Sequence, residues 1–193
     1  MLRDLYFYPL AAALIAGMVA LALSFGGGEA LSDAEIVEQG WTLEGEALRN
    51  LIVSPGTDMD YLDEDGGFVR MRANIAYGAD GRPTPGIYAA LGPDVERAFA
   101  GRTLRITVRA RALPPDGLER FDSAYFPIEA AASPWAVFDL SPDWADYSYT
   151  FTPPIVAAPA NTDLVSVYPG KRGENRPVDV ARLRIEVVSE AEG

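Results

Sequence analysis

The stretch of sequence that decides the fold is Thr103–Leu113, TLRITVRARAL, in the middle of the chain. Its apolar residues alternate with basic and hydroxyl residues, and they are Leu104, Ile106, Val108 and Ala110. Side chains along a β-strand point alternately to the two faces of a sheet, whereas a helix repeats every 3.6 residues. The pattern therefore predicts a strand with one buried face.

The same alternation returns near the C-terminus, where Leu183, Ile185 and Val187 are separated by charged residues. Other short runs predict further strands, at Leu48–Val53, Phe68–Ile75, Ile87–Leu91, Ser123–Glu129, Trp135–Leu140, Tyr147–Thr152 and Leu164–Tyr168. Turns rich in Gly, Pro and Asp separate these runs. One short helix is predicted at Asp94–Ala100, with Asp94 as its N-cap. Many short strands without alternating long helices are typical of an all-β sandwich.

A hydrophobic segment, Leu5–Phe25, precedes this region and contains no charged residue. As a helix it would span about 30 Å, the thickness of the hydrocarbon core of a bilayer, so we predict one N-terminal transmembrane helix. A cleaved signal peptide, with Ala20-Leu21-Ala22 as the cleavage site, is the alternative. Arg3 lies before the segment and acidic residues follow it, which predicts a cytoplasmic N-terminus. The expected location is a bacterial inner membrane, crossed once, with the C-terminal domain in the periplasm.

The predicted organisation has four parts. Residues 1–25 are a cytoplasmic head and the transmembrane helix, and 26–40 are a Gly-rich acidic linker whose acidic part is either a short surface helix or a spacer. Residues 41–188 are the sandwich, and 189–193 are a tail. Small residues allow close packing of helices in lipid. On this ground one face of the transmembrane helix is predicted to contact a partner helix, through Ala12, Ala13, Ala16, Gly17 and Ala20.

Composition excludes several kinds of chemistry. The chain has 193 residues, a net charge of −12, and neither Cys nor His. Disulfides, zinc–thiolate sites and histidine bases are therefore impossible, and nucleic acid is a poor partner because its phosphates would be repelled. The sequence also contains no G-x-S-x-G, Walker A or G-x-G-x-x-G motif, so we do not expect an enzyme.

The strand after Gly101, together with the C-terminal strand Val178–Leu183, resembles the jelly rolls of carbohydrate-binding modules and of the wider galactose-binding-like group. An ordered set of aromatic residues shares this resemblance, namely Trp135, Phe138, Trp144, Tyr147 and Phe151. The resemblance implies a jelly-roll β-sandwich, and many members of the group bind glycans or proteins without catalysis.

The resemblance also divides the aromatic residues into two sets. Trp144, Tyr147 and Phe151 match positions that fill the core of such domains. Tyr88 and Trp135 remain as candidates for an exposed platform on which a ligand could stack.

Two charged clusters have alternative interpretations. An acidic run contains Asp58, Asp60, Asp63 and Asp65, whose carboxylates could supply oxygen ligands for Ca²⁺. The favoured interpretation of this run is a solvated loop without a metal ion. We predict no other cofactor. Five arginines lie on the polar faces of two predicted strands: Arg70, Arg72, Arg105, Arg109 and Arg111. They could bind an anionic ligand, but we predict that they pair with Asp and Glu on neighbouring strands.

Two functional hypotheses follow for a non-enzymatic, single-pass membrane protein. The favoured one is an accessory or assembly subunit of a larger membrane complex, with other membrane subunits as partners. The alternative is a membrane-tethered periplasmic carbohydrate-binding module, with a glycan as ligand.

Overall fold

The computed structural model describes residues 31–74, 85–127, 130–156, 162–170 and 175–188. Its strands are β1 (Trp41–Glu44), β2 (Ile52–Val53), β3 (Thr57–Leu62), β4 (Phe68–Ala73), β5 (Ile87–Ala90), β6 (Leu104–Ala112), β7 (Arg120–Phe126), β8 (Ala136–Asp139), β9 (Ala145–Phe151), β10 (Leu164–Tyr168) and β11 (Val178–Val187). Helix α1 spans Asp33–Gln39, helix α2 spans Pro93–Phe99, and a 3₁₀ helix spans Gly45–Asn50.

The strands form two antiparallel sheets, so the predicted all-β sandwich is confirmed. The six-stranded sheet has the order β3-β4-β11-β6-β9, and β1 pairs with the part of β11 that follows its contact with β4. The five-stranded sheet has the order β2-β5-β10-β7-β8. Residues from Ser32 onward form one compact unit.

The core lies between the sheets and is centred on β6 and β11. Four apolar residues of β6 face inward and are 0 % exposed, namely Leu104, Ile106, Val108 and Ala110. The register pairs Ile106 with Ile185 and Val108 with Leu183. A β-bulge between Val180 and Arg182 lets β11 keep both of its apolar halves on the inner face. The alternation of Thr103–Leu113 therefore predicted the central strand correctly.

Three local predictions need correction. Most of Leu48–Val53 is not a strand, because Gly45–Asn50 forms a 3₁₀ helix that buries Leu48 and leaves only β2 as strand. The acidic stretch Thr57–Leu62 is a strand, with Asp58 and Asp60 on its more exposed side. Helix α2 begins at Pro93 after Gly92, so Asp94 lies inside its first turn and is not the cap.

Helix α1 lies in the acidic segment that the sequence left open. Ser32 and Glu35 form a capping box, which satisfies free backbone N–H groups at the start of the helix. Ile36 is buried, and Arg97 of α2 binds Asp33 at 2.8 Å. These contacts fix α1 to the sandwich.

In the part of the chain that the structure describes, no helix combines the length and apolarity needed to cross a membrane. The predicted transmembrane helix Leu5–Phe25 lies outside the described residues.

We predict that Ile106→Ala lowers the free energy of unfolding by about 2–5 kcal/mol, because it leaves a cavity at a site with no solvent access. Denaturant titration of the full chain in mild detergent measures this loss. Arg105→Ala, on the exposed side of the same strand, is the control and should change stability by less than about 0.5 kcal/mol. Equal losses for the two variants would contradict the assignment of the faces.

Candidate ligand-binding face

The outer face of the five-stranded sheet carries one continuous row of side chains. Val165 and Val167 on β10 point into the core, so Ser166 between them points outward. The register places Ser166 beside Tyr88 on one neighbouring strand and Ala124 on the other. The predicted platform residue Tyr88 therefore lies on this face.

Trp135 completes the row at its other end. It immediately precedes β8, and continuation of the register from the pair Ser123–Ala136 places it opposite Ala124. Its ring makes edge-on contacts with the rings of Phe126 and Tyr168, with centroids 5.4 Å and 6.1 Å apart. These contacts hold the indole ring against the sheet while leaving it half-buried.

The floor between the two aromatic residues is small and closely packed. Ser166 and Ala124 are buried, and the Ser166 hydroxyl donates a hydrogen bond to the carbonyl oxygen of Pro85. Three strand spacings separate Tyr88 from Trp135, which is about 14 Å. We call this arrangement, with Tyr88 and Trp135 at the ends of a Ser166–Ala124 floor, the aromatic trough.

The sequence singled out the ends of the trough but missed its floor. Ser166 and Ala124 have no chemical signature of their own, and only strand register brings them between the rings. The flanking valines of β10 were the one available signal, because they force Ser166 onto the outer face.

The outer face of the six-stranded sheet carries ion pairs, which confirm the predicted pairing of Arg70, Arg72, Arg109 and Arg111. Among the described residues, Arg105 forms no such pair. Asp179 is 0 % exposed. It accepts hydrogen bonds from Arg70, at 2.8 Å and 3.1 Å, and from Arg111 at 3.3 Å. The hydrogen-bonded carboxylate raises the pKa of Arg70. Asp146 receives Arg109 and Arg182 in the same way, at 3.4 Å and 3.2 Å.

The aromatic residues of β9 and its preceding turn differ in their roles. Tyr147 and Phe151 pack against the core, as predicted. Tyr149 packs there as well, and burial raises its pKa. Trp144 was expected in the core but lies on the outer face. The Arg111 guanidinium lies 4.3 Å from its ring centroid, and Phe68 contacts it edge-on at 5.6 Å.

Three of the carboxylates proposed as calcium ligands either lie next to arginines or point outward from the sheet. Asp60 binds Arg72 at 3.0 Å, Asp65 lies 3.7 Å from Arg111, and Asp58 points outward from β3. No group of three or more acidic residues placed to hold a metal ion is found in the described ranges, which include Asp63. The calcium hypothesis is thus not supported. The small-residue stripe, Ala12, Ala13, Ala16, Gly17 and Ala20, lies outside the described residues.

The sequence matches no protein-family model, and a search of curated proteins finds no significant match. Solved structures show the fold. The CBM22-2 xylan-binding domain of Paenibacillus barcinonensis Xyn10C superposes with a TM-score of 0.55 at 10% identity, over 77% of this chain and 99% of that one. The C-terminal family 22 carbohydrate-binding module of Clostridium thermocellum Xyn10B superposes with a TM-score of 0.52 at 14% identity, over 78% of this chain and 95% of that one.

A tandem chain of two such modules from Paenibacillus barcinonensis Xyn10C gives a TM-score of 0.53 at 9% identity, and the match spans 80% of this chain but only 47% of that one. The protein therefore has a β-sandwich of the carbohydrate-binding-module type. Identities this low establish the fold alone.

We predict that Asp179→Asn destabilises the domain by about 3 kcal/mol, because two arginines lose a buried charged partner. Asp146→Asn is the matched control, since this more exposed carboxylate also holds two arginines and should cost less than about 1 kcal/mol. Thermal or denaturant unfolding of both variants gives the comparison. Similar losses of unfolding free energy in the two variants would show that the burial of Asp179 does not increase its contribution to stability.

Proposed function

We propose that this protein is a non-catalytic glycan-binding module whose ligand lies along the aromatic trough. The observation that carries the proposal is the single cross-strand row in which Tyr88 and Trp135 flank the small residues Ser166 and Ala124. Aromatic rings offer flat apolar faces for the C–H faces of sugars. The floor residues Ser166 and Ala124 have no solvent access, so the rings of Tyr88 and Trp135 would make the contacts with a ligand. Edge-on packing of Trp135 fixes its orientation before the ligand arrives, which reduces the entropy lost on binding.

The charge of the chain limits the kind of glycan. A net charge of −12 repels polyanions at long range, and the arginines of the six-stranded sheet are held by their own carboxylates. A neutral polysaccharide strand, such as a xylan, glucan or mannan, is therefore the proposed ligand class.

The similar structures support the glycan-binding hypothesis over the accessory subunit. One of them is described as a xylan-binding domain, and another by residues in its cleft that act in ligand binding. The accessory-subunit hypothesis depends on the small-residue stripe of residues 1–25, to which the described residues add nothing. We therefore rank a tethered glycan-binding module first and a subunit of a membrane complex second.

We further propose that Leu5–Phe25 anchors the module to a bacterial inner membrane and presents it to the periplasm. The support is the uncharged length of this segment and the position of Arg3 before it. A tether would hold the trough close to glycans of the cell envelope and raise the effective concentration of the two partners.

We predict that Trp135→Ala and Tyr88→Ala each weaken binding of a neutral polysaccharide at least about tenfold, which corresponds to roughly 1.4 kcal/mol. Affinity electrophoresis of the full chain against xylan, β-glucan and mannan, followed by calorimetry with the best oligosaccharide, measures the effect. The aromatic control is Trp144→Phe, which keeps a ring beneath Arg111 on the opposite sheet and should bind like the native chain.

Two outcomes would contradict the proposed site. Loss of binding in Trp144→Phe, with native affinity in Trp135→Ala, would move the ligand to the six-stranded sheet. Failure of the native chain to bind any of the neutral polysaccharides would remove the proposed ligand class.

We predict that protease added to intact spheroplasts digests the module, since the orientation of the anchor places it outside the cytoplasmic membrane. A cytoplasmic marker protein that stays intact in the same sample controls for lysis. Protection of the module until the spheroplasts are lysed would contradict this topology.

A further inference from the structure

The described part of the chain contains two Asp-Gly sequences, and the fold places them in opposite environments. Asp65-Gly66 lies in the turn between β3 and β4, and Asp116-Gly117 lies in the turn between β6 and β7. Glycine has no side chain to block a close approach, so its backbone nitrogen can attack the carboxyl group of a preceding aspartate. This attack requires a glycine N–H without another partner and an aspartate side chain that is free to turn.

Gly66 meets the first requirement. It is exposed, and a Cβ atom added to it would meet no other atom within 4 Å. Its N–H donates no hydrogen bond in the part of the chain that the structure describes. The N–H of the next residue, Gly67, in contrast donates to the carbonyl oxygen of Glu64 at 2.8 Å. The backbone nitrogen of Gly66 is therefore open to reaction.

Asp65 meets the second requirement. Its side chain is 64 % exposed, and the nearest cationic group, Nη1 of Arg111, lies 3.7 Å from Oδ2. This distance is too long for a hydrogen bond, so the carboxyl group can rotate toward the backbone. Asp65 also has a φ of 51°, a conformation that residues other than glycine rarely adopt. The turn thus holds backbone strain at this aspartate.

Asp116-Gly117 meets neither requirement. Gly117 is buried, and its N–H donates a hydrogen bond to the carbonyl oxygen of Leu113. The backbone of Leu113 lies so close that no Cβ atom would fit on Gly117. The carbonyl oxygen of Asp116 accepts a hydrogen bond from Nε of Arg176 at 3.3 Å, which holds the aspartate in place. This turn must open before its glycine nitrogen can react.

We propose that Asp65 is a site of spontaneous isomerisation to isoaspartate, and that the fold protects Asp116 from the same reaction. The Gly66 nitrogen loses its proton and bonds to Cγ of Asp65, whose hydroxyl group leaves, so that one water molecule is released and a succinimide ring closes. A second water molecule opens the ring. Attack at Cγ restores aspartate, and attack at the main-chain carbonyl gives isoaspartate, in which the main chain runs through the former side chain.

The modification changes the surface of the six-stranded sheet. Isoaspartate adds one carbon atom to the main chain of the β3–β4 turn and moves the carboxylate relative to Arg111. Gly67 cannot absorb this change, because it is buried and a Cβ atom on it would overlap the Tyr61 hydroxyl. The turn therefore adjusts on the side of Asp65, where its strained φ is released. Arg111 keeps its buried partner Asp179.

Incubation of the full chain in mild detergent and ¹⁸O-labelled water tests the proposal, because each opening of the ring places one labelled oxygen in the product. After return to ordinary water, trypsin releases residues 50–70 and 112–120 as separate peptides. Fragmentation by electron transfer then locates the label and distinguishes isoaspartate from aspartate. Labelling should be at least about tenfold faster at Asp65 than at Asp116, since the second turn must first open.

The same incubation in concentrated urea is the control for sequence. Without the folded turns, the two Asp-Gly sequences should take up label at similar rates. Two matched variants give a second measurement, because an asparagine forms the same ring with loss of ammonia. Asp65→Asn should therefore lose its amide in the folded protein, whereas Asp116→Asn should keep it.

Three results would overturn the proposal. The first is equal labelling of Asp65 and Asp116 in the folded chain. The second is labelling of Asp65 no faster than that of Asp58, which has no glycine after it. The third is a preference for Asp65 that persists unchanged in urea, since the difference would then come from the sequence and not from the fold.

Discussion

Burial of alternate residues along β6 and β11 is the constraint on which the rest of the structure depends. Once Ile106, Val108, Leu183 and Ile185 fill the space between the sheets, the residues between them must lie on the outer face. There β11 places Asp179 in the middle of a sheet, without access to water. A lone buried carboxylate is costly, so neighbouring strands supply Arg70 and Arg111. The charged outer face of this sheet is a consequence of its core.

The same constraint produces a different outer face on the five-stranded sheet. Inward-pointing Val165 and Val167 force Ser166 outward, and inward Ile87 and Ala89 do the same for Tyr88. These outward residues are uncharged, whereas Asp122 and the ion pair between Arg120 and Asp139 lie farther along the same face. The middle of this face therefore presents the rings of Tyr88 and Trp135, whereas the six-stranded sheet presents paired arginines.

Periodicity in the sequence predicted the strands whose alternating faces it determines. It did not predict contacts between residues that are distant in the chain. Alternating residues identified β6, β10 and β11, and the strand faces gave the pairing of arginines with acids. Strand β3 was missed because its carboxylates, such as Asp58 and Asp60, conceal the alternation of Met59 and Tyr61. Trp144 was misplaced because its partner, Arg111, comes from another strand. The floor of the trough depends on strand register between segments far apart in the chain, which periodicity cannot reveal.

The central claim is that a neutral glycan lies along the aromatic trough. Hydroxyl-radical footprinting with mass spectrometry tests it most directly, on the full chain with and without a saturating neutral oligosaccharide. The rings of Tyr88 and Trp135 should become protected, while Trp144 on the opposite sheet should react as before. Protection of Trp144, with no change at Tyr88 or Trp135, would contradict the account.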